Sequence, residues 1–197
     1  MRMNRPSPSP MRSFDPRTVG RLECRAWETY YRRQWGAFLI AAIGLVRAAF
    51  RMSWPHTLAG AWLVLRANQK WAPLPDNDPE SARALMERFY RLLVREGASL
   101  EPARASELEI DWWRAHRESQ HGSGESKELI GALSELYAYT YGAGRDEVRR
   151  AAELRAQAMG LSDRWVAAGC DPSDPLLAQE RALLVRSYAA LLAAVHG

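Results

Sequence analysis

Apolar residues recur at spacings of three and four along almost the whole chain, and no segment shows the strict alternation of a half-buried strand. The three-to-four spacing places apolar side chains on one face of an α-helix, so it predicts helices that pack through that face. Breaks rich in proline and glycine divide the pattern into about seven segments. Since no period of 20–50 residues recurs, a solenoid array is not indicated. The sequence therefore predicts an all-α protein, a single compact bundle of about seven helices.

The breaks also give approximate helix bounds. Asp78-Pro79 is a typical helix start, with aspartate as the N-cap and proline at the first helical position. The glycine- and serine-rich segment 121–126 is interpreted as a flexible loop, too short to separate two domains. The first predicted helix is long enough to run the whole length of a bundle. The predicted helices cover residues 17–52, 54–72, 79–97, 101–120, 127–141, 145–168 and 175–195.

Residues 1–15 differ in composition from the rest of the chain. They are basic and rich in proline and serine, which predicts a disordered lead-in before a single helical domain at 16–197. No apolar stretch follows directly, so a secretory signal is not indicated. The most apolar stretch, 37–50, is shorter than the about 20 residues that a membrane span needs, and it contains Arg47. We therefore expect a soluble protein without a membrane span.

The arginines and cysteines of the chain indicate its source, its cellular compartment and one class of partner. The chain is rich in arginine and alanine and poor in lysine, which is typical of a bacterium with a GC-rich genome. Cys24 and Cys170 form neither a disulfide framework nor a metal-binding pair, so two reduced thiols in a cytoplasmic protein are expected. The net charge of +4 permits nucleic-acid binding. Acidic residues accompany the arginines along the same helices, however, which is typical of solvated surfaces and makes a nucleic-acid partner an unfavoured alternative.

Motifs of known chemistry are missing from the sequence. It has no glycine-rich phosphate loop before a helix, no GxSxG and no HExxH, and its cysteines and histidines lack the spacing of metal ligands. No metal-binding residues are therefore predicted, and no particular cofactor or reaction is indicated.

Two polar residues on the fourth predicted helix are candidates for acid–base chemistry. Glu109 and His116 lie seven residues apart, so they are nearly aligned on one ridge with Trp112 beside them. A carboxylate and an imidazole on an aromatic ridge can exchange protons with a bound molecule, although a separation of about 10 Å along the axis prevents direct bonding. The alternative is a glutamate at the solvent rim and a half-buried structural histidine.

A second polar cluster is expected between the first and sixth predicted helices. Glu23 shares the apolar ridge of Trp27 and Tyr30, where a carboxylate is costly unless it is paired. Arg155 lies within the apolar stripe of the sixth helix and is the expected counter-ion. The alternative is again a purely structural ion pair.

These observations support three classes of function. The first is a helical bundle that binds a small, partly apolar organic ligand between its helices, and whether it is also an enzyme stays open. The second is a protein–protein adaptor or regulator with an aromatic face that includes Trp35 and Trp71, and the third is an arginine-rich nucleic-acid-binding regulator. For the first class, the predicted catalytic residues are Glu109 and His116, and the predicted ligand-binding residues are Glu23, Trp27, Tyr30, Trp112 and Arg155.

Overall fold

The computed structural model describes residues 10–73, 75–120 and 127–197. Within these residues the chain forms eight α-helices and no strand, which confirms the predicted all-α bundle with one helix more than expected. The helices are α1 (Pro16–Tyr31), α2 (Trp35–Phe50), α3 (Trp54–Trp71), α4 (Pro79–Arg95), α5 (Pro102–Ser119), α6 (Lys127–Tyr141), α7 (Arg145–Ala167) and α8 (Pro175–His196). A single 3-10 turn, Pro10–Arg12, precedes α1.

The eight helices form a closed ring. Each helix packs mainly on its neighbours in the chain, and α8 packs on α1. Consecutive helices are joined by three to seven residues, and tight connections between packed helices make neighbours run antiparallel. The odd-numbered helices therefore end, and the even-numbered helices begin, at the same end of the ring.

The additional helix arises because the predicted first helix, 17–52, is two helices. Arg33 adopts a left-handed conformation with φ of 55°. The amide of Gln34 donates to the carbonyl of Thr29 at 2.8 Å, and the amide of Arg33 donates to that of Tyr30 at 2.9 Å. This pair of hydrogen bonds is the Schellman motif, which normally has glycine at the left-handed position. The apolar spacing continues across the break, so the sequence shows no stop signal there.

The last residues of the predicted lead-in, 1–15, pack against the helices. Its first nine residues lie outside the described part of the chain, but the side chains of Met11 and Phe14 are buried in the core. The guanidinium of Arg12 donates to the carbonyl oxygen of Val195 at 2.5 Å, next to the end of α8. Prolines and serines dominate the composition of this segment, so its composition does not indicate that Met11 and Phe14 are buried.

The other predicted boundaries agree with the structure to within about two residues. The carboxylate of Asp78 accepts a hydrogen bond from the amide of Ser81 at 2.9 Å, so it caps α4 as predicted. The loop predicted at 121–126 lies outside the described residues. Cys24 is buried and Cys170 is partly exposed, and both are free thiols. None of the helices in the described part of the chain is long and apolar enough to cross a membrane.

Candidate functional site

A cavity of about 410 Å³ lies at the centre of the ring, and all eight helices contribute side chains to its wall. This volume falls within the roughly 300–1,000 Å³ of typical small-molecule sites. Most of the wall is aromatic or aliphatic, and polar groups are clustered at a few positions. A ring of eight helices leaves an interior that these side chains do not fill, so the topology itself produces the site.

All seven residues predicted from the sequence as site residues line this one cavity. Their functional roles remain predictions, but their common location follows directly from the structure. They are Glu23, Trp27 and Tyr30 on α1, Glu109, Trp112 and His116 on α5, and Arg155 on α7.

The predicted pairing of Glu23 with Arg155 is confirmed. The terminal nitrogen Nη2 of Arg155 donates to Oε1 of Glu23, and Nη1 donates to the hydroxyl of Tyr137 at 3.1 Å. Glu23 is only 2% exposed, so its charge depends on this partner. Burial alone would lower the pKa of Arg155, but Glu23, with Tyr137, Tyr188 and Glu109 adding to its effect, outweighs burial and holds that pKa well above its usual value. Arg155 is therefore a permanent cation in the wall of the cavity.

Aromatic rings surround the guanidinium of Arg155. Its central carbon lies 4.9 Å from the ring centroid of Trp112, 5.8 Å from that of Tyr137 and 5.9 Å from that of Trp27. At these distances the rings stabilise the cation through their negative faces. The guanidinium is consequently held by one carboxylate, one hydroxyl and three rings.

Glu109 is held by a different set of partners. The hydroxyl of Tyr90 donates to its Oε2 at 2.7 Å, and the indole nitrogen of Trp113 donates to its Oε1 at 3.1 Å. Burial raises the pKa of Glu109, although these hydrogen bonds and the charge of Arg155 act in the opposite direction. A carboxyl group in this position favours its protonated form more than a solvated glutamate does.

His116 does not share a hydrogen-bond network with Glu109. Its Nε2 lies 3.2 Å from Oδ2 of Asp163 on α7, and the side-chain amide of Gln120 donates to Oδ1 of the same carboxylate at 2.7 Å. The expected acid–base pair is therefore divided between two local networks on one cavity wall, as their spacing along α5 requires.

Several buried polar atoms on the cavity wall have no partner. Within the described residues, four of the five buried side-chain polar atoms without a hydrogen bond belong to cavity residues. Trp112 Nε1 lies close enough to Glu109 to lower the pKa of that carboxyl, but it makes no direct hydrogen bond. The four atoms are Glu23 Oε2, Trp112 Nε1, Thr140 Oγ1 and Arg155 Nε. They give the cavity one free acceptor, two free N–H donors and one free hydroxyl.

The cavity opens at the end of the ring where α1 and α5 terminate. Arg33 and Gln120 line the cavity there and are also exposed on the molecular surface. Arg117 lies over Trp71 with its guanidinium carbon 4.2 Å from the ring centroid, and it donates to the backbone carbonyl of Trp71 at 2.7 Å. Positive side chains therefore stand at the mouth, whereas the glutamates lie deeper.

Some functional candidates were not singled out from the sequence. Neither Tyr137 nor Tyr90 is among the predicted site residues, although their hydroxyls contact Arg155 and Glu109. Tyrosine on an interior helix face is a usable signal, because a buried hydroxyl needs a partner. Thr140 has no comparable signal, since threonine is common on all faces of a helix.

The aromatic face expected for an adaptor also has a different location. Trp35 and Trp71 line the cavity instead of forming an external face. The exposed apolar side chains on α3 are Trp54, Leu58 and Trp62, which lie four residues apart and share one outer face of that helix.

The site contains no recognisable metal centre: within the described residues, no three histidine, cysteine or acidic side chains are grouped closely enough to hold a metal ion. The chain matches no family model, and no curated protein and no solved structure is significantly similar to it. The geometry of the cavity is therefore the basis for a functional proposal.

Proposed function

We propose that this protein binds a small, partly apolar organic ligand in the central cavity. The observation that carries the proposal is the set of four unpaired polar atoms on the wall of an open, aromatic-lined cavity. An unpaired buried polar group costs roughly 1–3 kcal/mol. A ligand that enters the cavity and pairs these atoms offsets that cost.

The two other classes of function have less support. The adaptor interpretation was based on Trp35 and Trp71, and both of these side chains face the cavity. The nucleic-acid interpretation requires a surface of free arginines. Several arginines instead pair with an acidic residue on their own helix, as Arg25 does with Glu28 and Arg149 with Glu153. We therefore place ligand binding first.

Within this proposal, Glu109 is the residue suited to exchange a proton with the ligand. It faces the cavity, and its raised pKa keeps a proton available nearer to neutral pH. His116 contacts Asp163 and lies nearer the mouth of the cavity than Glu109 does. Mass spectrometry of each bound ligand after incubation tests this role. A chemical change that is lost in Glu109→Gln supports acid–base catalysis, and an unchanged ligand contradicts it.

Binding itself is tested with variants that fill the cavity. Ala42 and Ala49 are buried residues of α2 on the cavity wall, so Ala42→Phe and Ala49→Phe each place a ring in the ligand space. The matched control is Ala59→Phe, on an exposed position of α3. Small aromatic and aliphatic compounds are first screened by saturation-transfer NMR, and their affinities are then measured by titration calorimetry.

We expect compounds that bind the wild-type protein to lose at least tenfold in affinity with either cavity-filling variant and to bind the control normally. Thermal unfolding of each variant establishes that the fold is retained. If no compound binds, or if both cavity-filling variants bind as well as the wild type, the proposed function is wrong.

A further inference from the structure

We infer that the ligand carries a protonated amine, which the carboxylates of Glu23 and Glu109 hold deep in the cavity. This inference rests on the proposed function and specifies the chemical class of the ligand. Its starting point is the imbalance of charge on the inner wall, where two carboxylates face a single guanidinium, that of Arg155.

The guanidinium is poorly available to an anionic ligand. Both of its terminal nitrogens already donate, one to Glu23 and the other to Tyr137. Its central carbon also lies within 6 Å of three ring centroids, those of Trp27, Trp112 and Tyr137. A ligand carboxylate could reach the unpaired Nε–H, but it would bring a second anion beside the carboxylate of Glu23, which is 2% exposed and already shares this one cation.

The two carboxylates, in contrast, can accept further hydrogen bonds. Oε2 of Glu23 accepts no direct hydrogen bond although it is buried, and the hydroxyl of Tyr188, whose pKa is raised by burial and by the Glu23 carboxylate, lies near this carboxylate. Each oxygen of Glu109 accepts one hydrogen bond, from Tyr90 and from Trp113, and a carboxylate oxygen can accept two. An ammonium group has three N–H donors and no acceptor, so it complements this set of oxygens.

The aromatic wall favours the same kind of group. Trp27, Tyr30 and Trp112 line the cavity close to these carboxylates on α1 and α5. Such ring faces stabilise a cation within about 6 Å, and more strongly when the cation is desolvated. The cations Arg33 and Arg117 stand nearer the mouth, so the charge of the wall changes sign along the cavity. An amine would therefore be most stable at the inner end.

Proton linkage provides an independent signature. Burial raises the pKa of the empty-site Glu109 carboxyl, and an ammonium group bound beside it would lower that pKa again. At a pH where the carboxyl of the empty site still holds part of its proton, amine binding would then release protons from the protein, which a neutral ligand would not cause. Titration calorimetry in buffers of different ionisation enthalpy measures this release directly.

The decisive experiment compares three probes of matched shape: 2-(2-naphthyl)ethylamine, 2-(2-naphthyl)ethanol and 2-naphthylacetate. We expect the amine to bind at least tenfold more tightly than the alcohol, with the acid weakest. Glu109→Gln should reduce amine affinity at least tenfold and alcohol affinity by a clearly smaller factor. The control is Glu107→Gln, since Glu107 lies on the same helix but pairs with Arg104 on the surface.

The outcomes separate this inference from the proposed function. If the alcohol or the acid binds in the cavity as tightly as the amine, the inference is wrong while ligand binding stands. If none of the three probes binds, the inference is wrong. If no compound of the wider screen binds either, or if both cavity-filling variants bind as well as the wild type, the proposed function is contradicted too. Should Glu109→Gln fail to fold, the ranking of the three probes on the wild-type protein still decides: an alcohol or an acid that binds as tightly as the amine overturns the inference.

Discussion

Gly20 of α1 lies directly against the backbone of Val185 on α8: a Cβ atom on Gly20 would stand 2.7 Å from the Val185 amide nitrogen. This contact lies where the first and last helices close the ring. Real Cβ atoms do not approach backbone atoms this closely, and helix backbones cannot move aside as flexible side chains do. The glycine at position 20 therefore allows α1 and α8 to pack.

Replacing this glycine should separate the two helices. We expect Gly20→Ala to lower the free energy of unfolding by roughly 1–3 kcal/mol, because overpacking forces the backbones apart. Gly160 is the matched control, since it lies inside α7 with no atom within 4 Å of its added Cβ. Gly160→Ala should raise stability by roughly 0.5–1 kcal/mol through helix propensity alone. Urea denaturation measures both, and equal effects would contradict the packing argument.

The stability of the protein should fall as pH rises from about 4.5 to about 7 because of Glu180. This carboxyl is fully buried on α8, and burial raises its pKa to about 7, although Ser162 donates to it at 2.7 Å. In the unfolded chain it ionises near pH 4.5. Between these values the unfolded state releases a proton that the folded state retains, so ionisation favours unfolding, by about 3 kcal/mol in total.

The variant Glu180→Gln tests this dependence. The amide resembles the protonated carboxyl and cannot ionise, so the variant should be more stable than the wild type at pH 8 and similar to it at pH 4.5. Glu109 shifts in the same direction and remains in both proteins, so the difference between them isolates Glu180. Urea denaturation at the two pH values provides the measurement, and parallel pH profiles would show that Glu180 ionises normally.

Removal of Arg155 should be strongly destabilising. Arg155→Met leaves the carboxylate of Glu23 buried without a partner, so we expect a loss of roughly 3–5 kcal/mol. The double variant Glu23→Gln/Arg155→Met removes the stranded charge and should recover part of the loss. His116→Ala loses only a partly exposed contact with Asp163 and should cost roughly 0.5–1.5 kcal/mol. Thermal unfolding that ranks His116→Ala as the more harmful variant would refute this assignment.

Truncation of a buried tryptophan should lower the stability of the protein far more than truncation of an exposed one. Trp112 is 8% exposed and packs edge-on against Trp113, so Trp112→Ala should cost roughly 3–5 kcal/mol. Trp62 is 53% exposed on α3, and Trp62→Ala should change stability by less than about 0.5 kcal/mol. Denaturant unfolding of both variants checks the contrast. A loss below about 1 kcal/mol for Trp112→Ala would indicate that its ring contributes little to the core.

The sequence was sufficient for most of the fold because helix periodicity and helix caps are local signals. Asp78 could be identified as a cap from its position before a proline, and the structure bears this out. The break at Arg33 could not be identified, because the left-handed position is occupied by an arginine rather than a glycine. Closure of the ring by α8 on α1 depends on contacts between distant residues, which helix periodicity does not reveal.

Part of the site could be predicted for a related reason. A charged residue on an apolar helix face must find an interior partner, and this reasoning links Glu23 with Arg155 from sequence alone. The same reasoning does not reveal which partners a polar residue prefers when several are within reach. Glu109 and His116 were expected to act together, but each is engaged by residues of other helices, Tyr90 and Asp163.

The hydrogen bond from Arg12 to Val195 joins the two ends of the described fold. Because Nε2 of His196 also lies 2.6 Å from the carbonyl oxygen of Arg12, the two ends of the described fold are neighbours in space. Each helix packs mainly on the helices beside it in the ring, so the arrangement is cyclic. A circular permutant with residue 197 linked to residue 10 and new termini between α6 and α7 should consequently assemble the same cavity from a different order of synthesis.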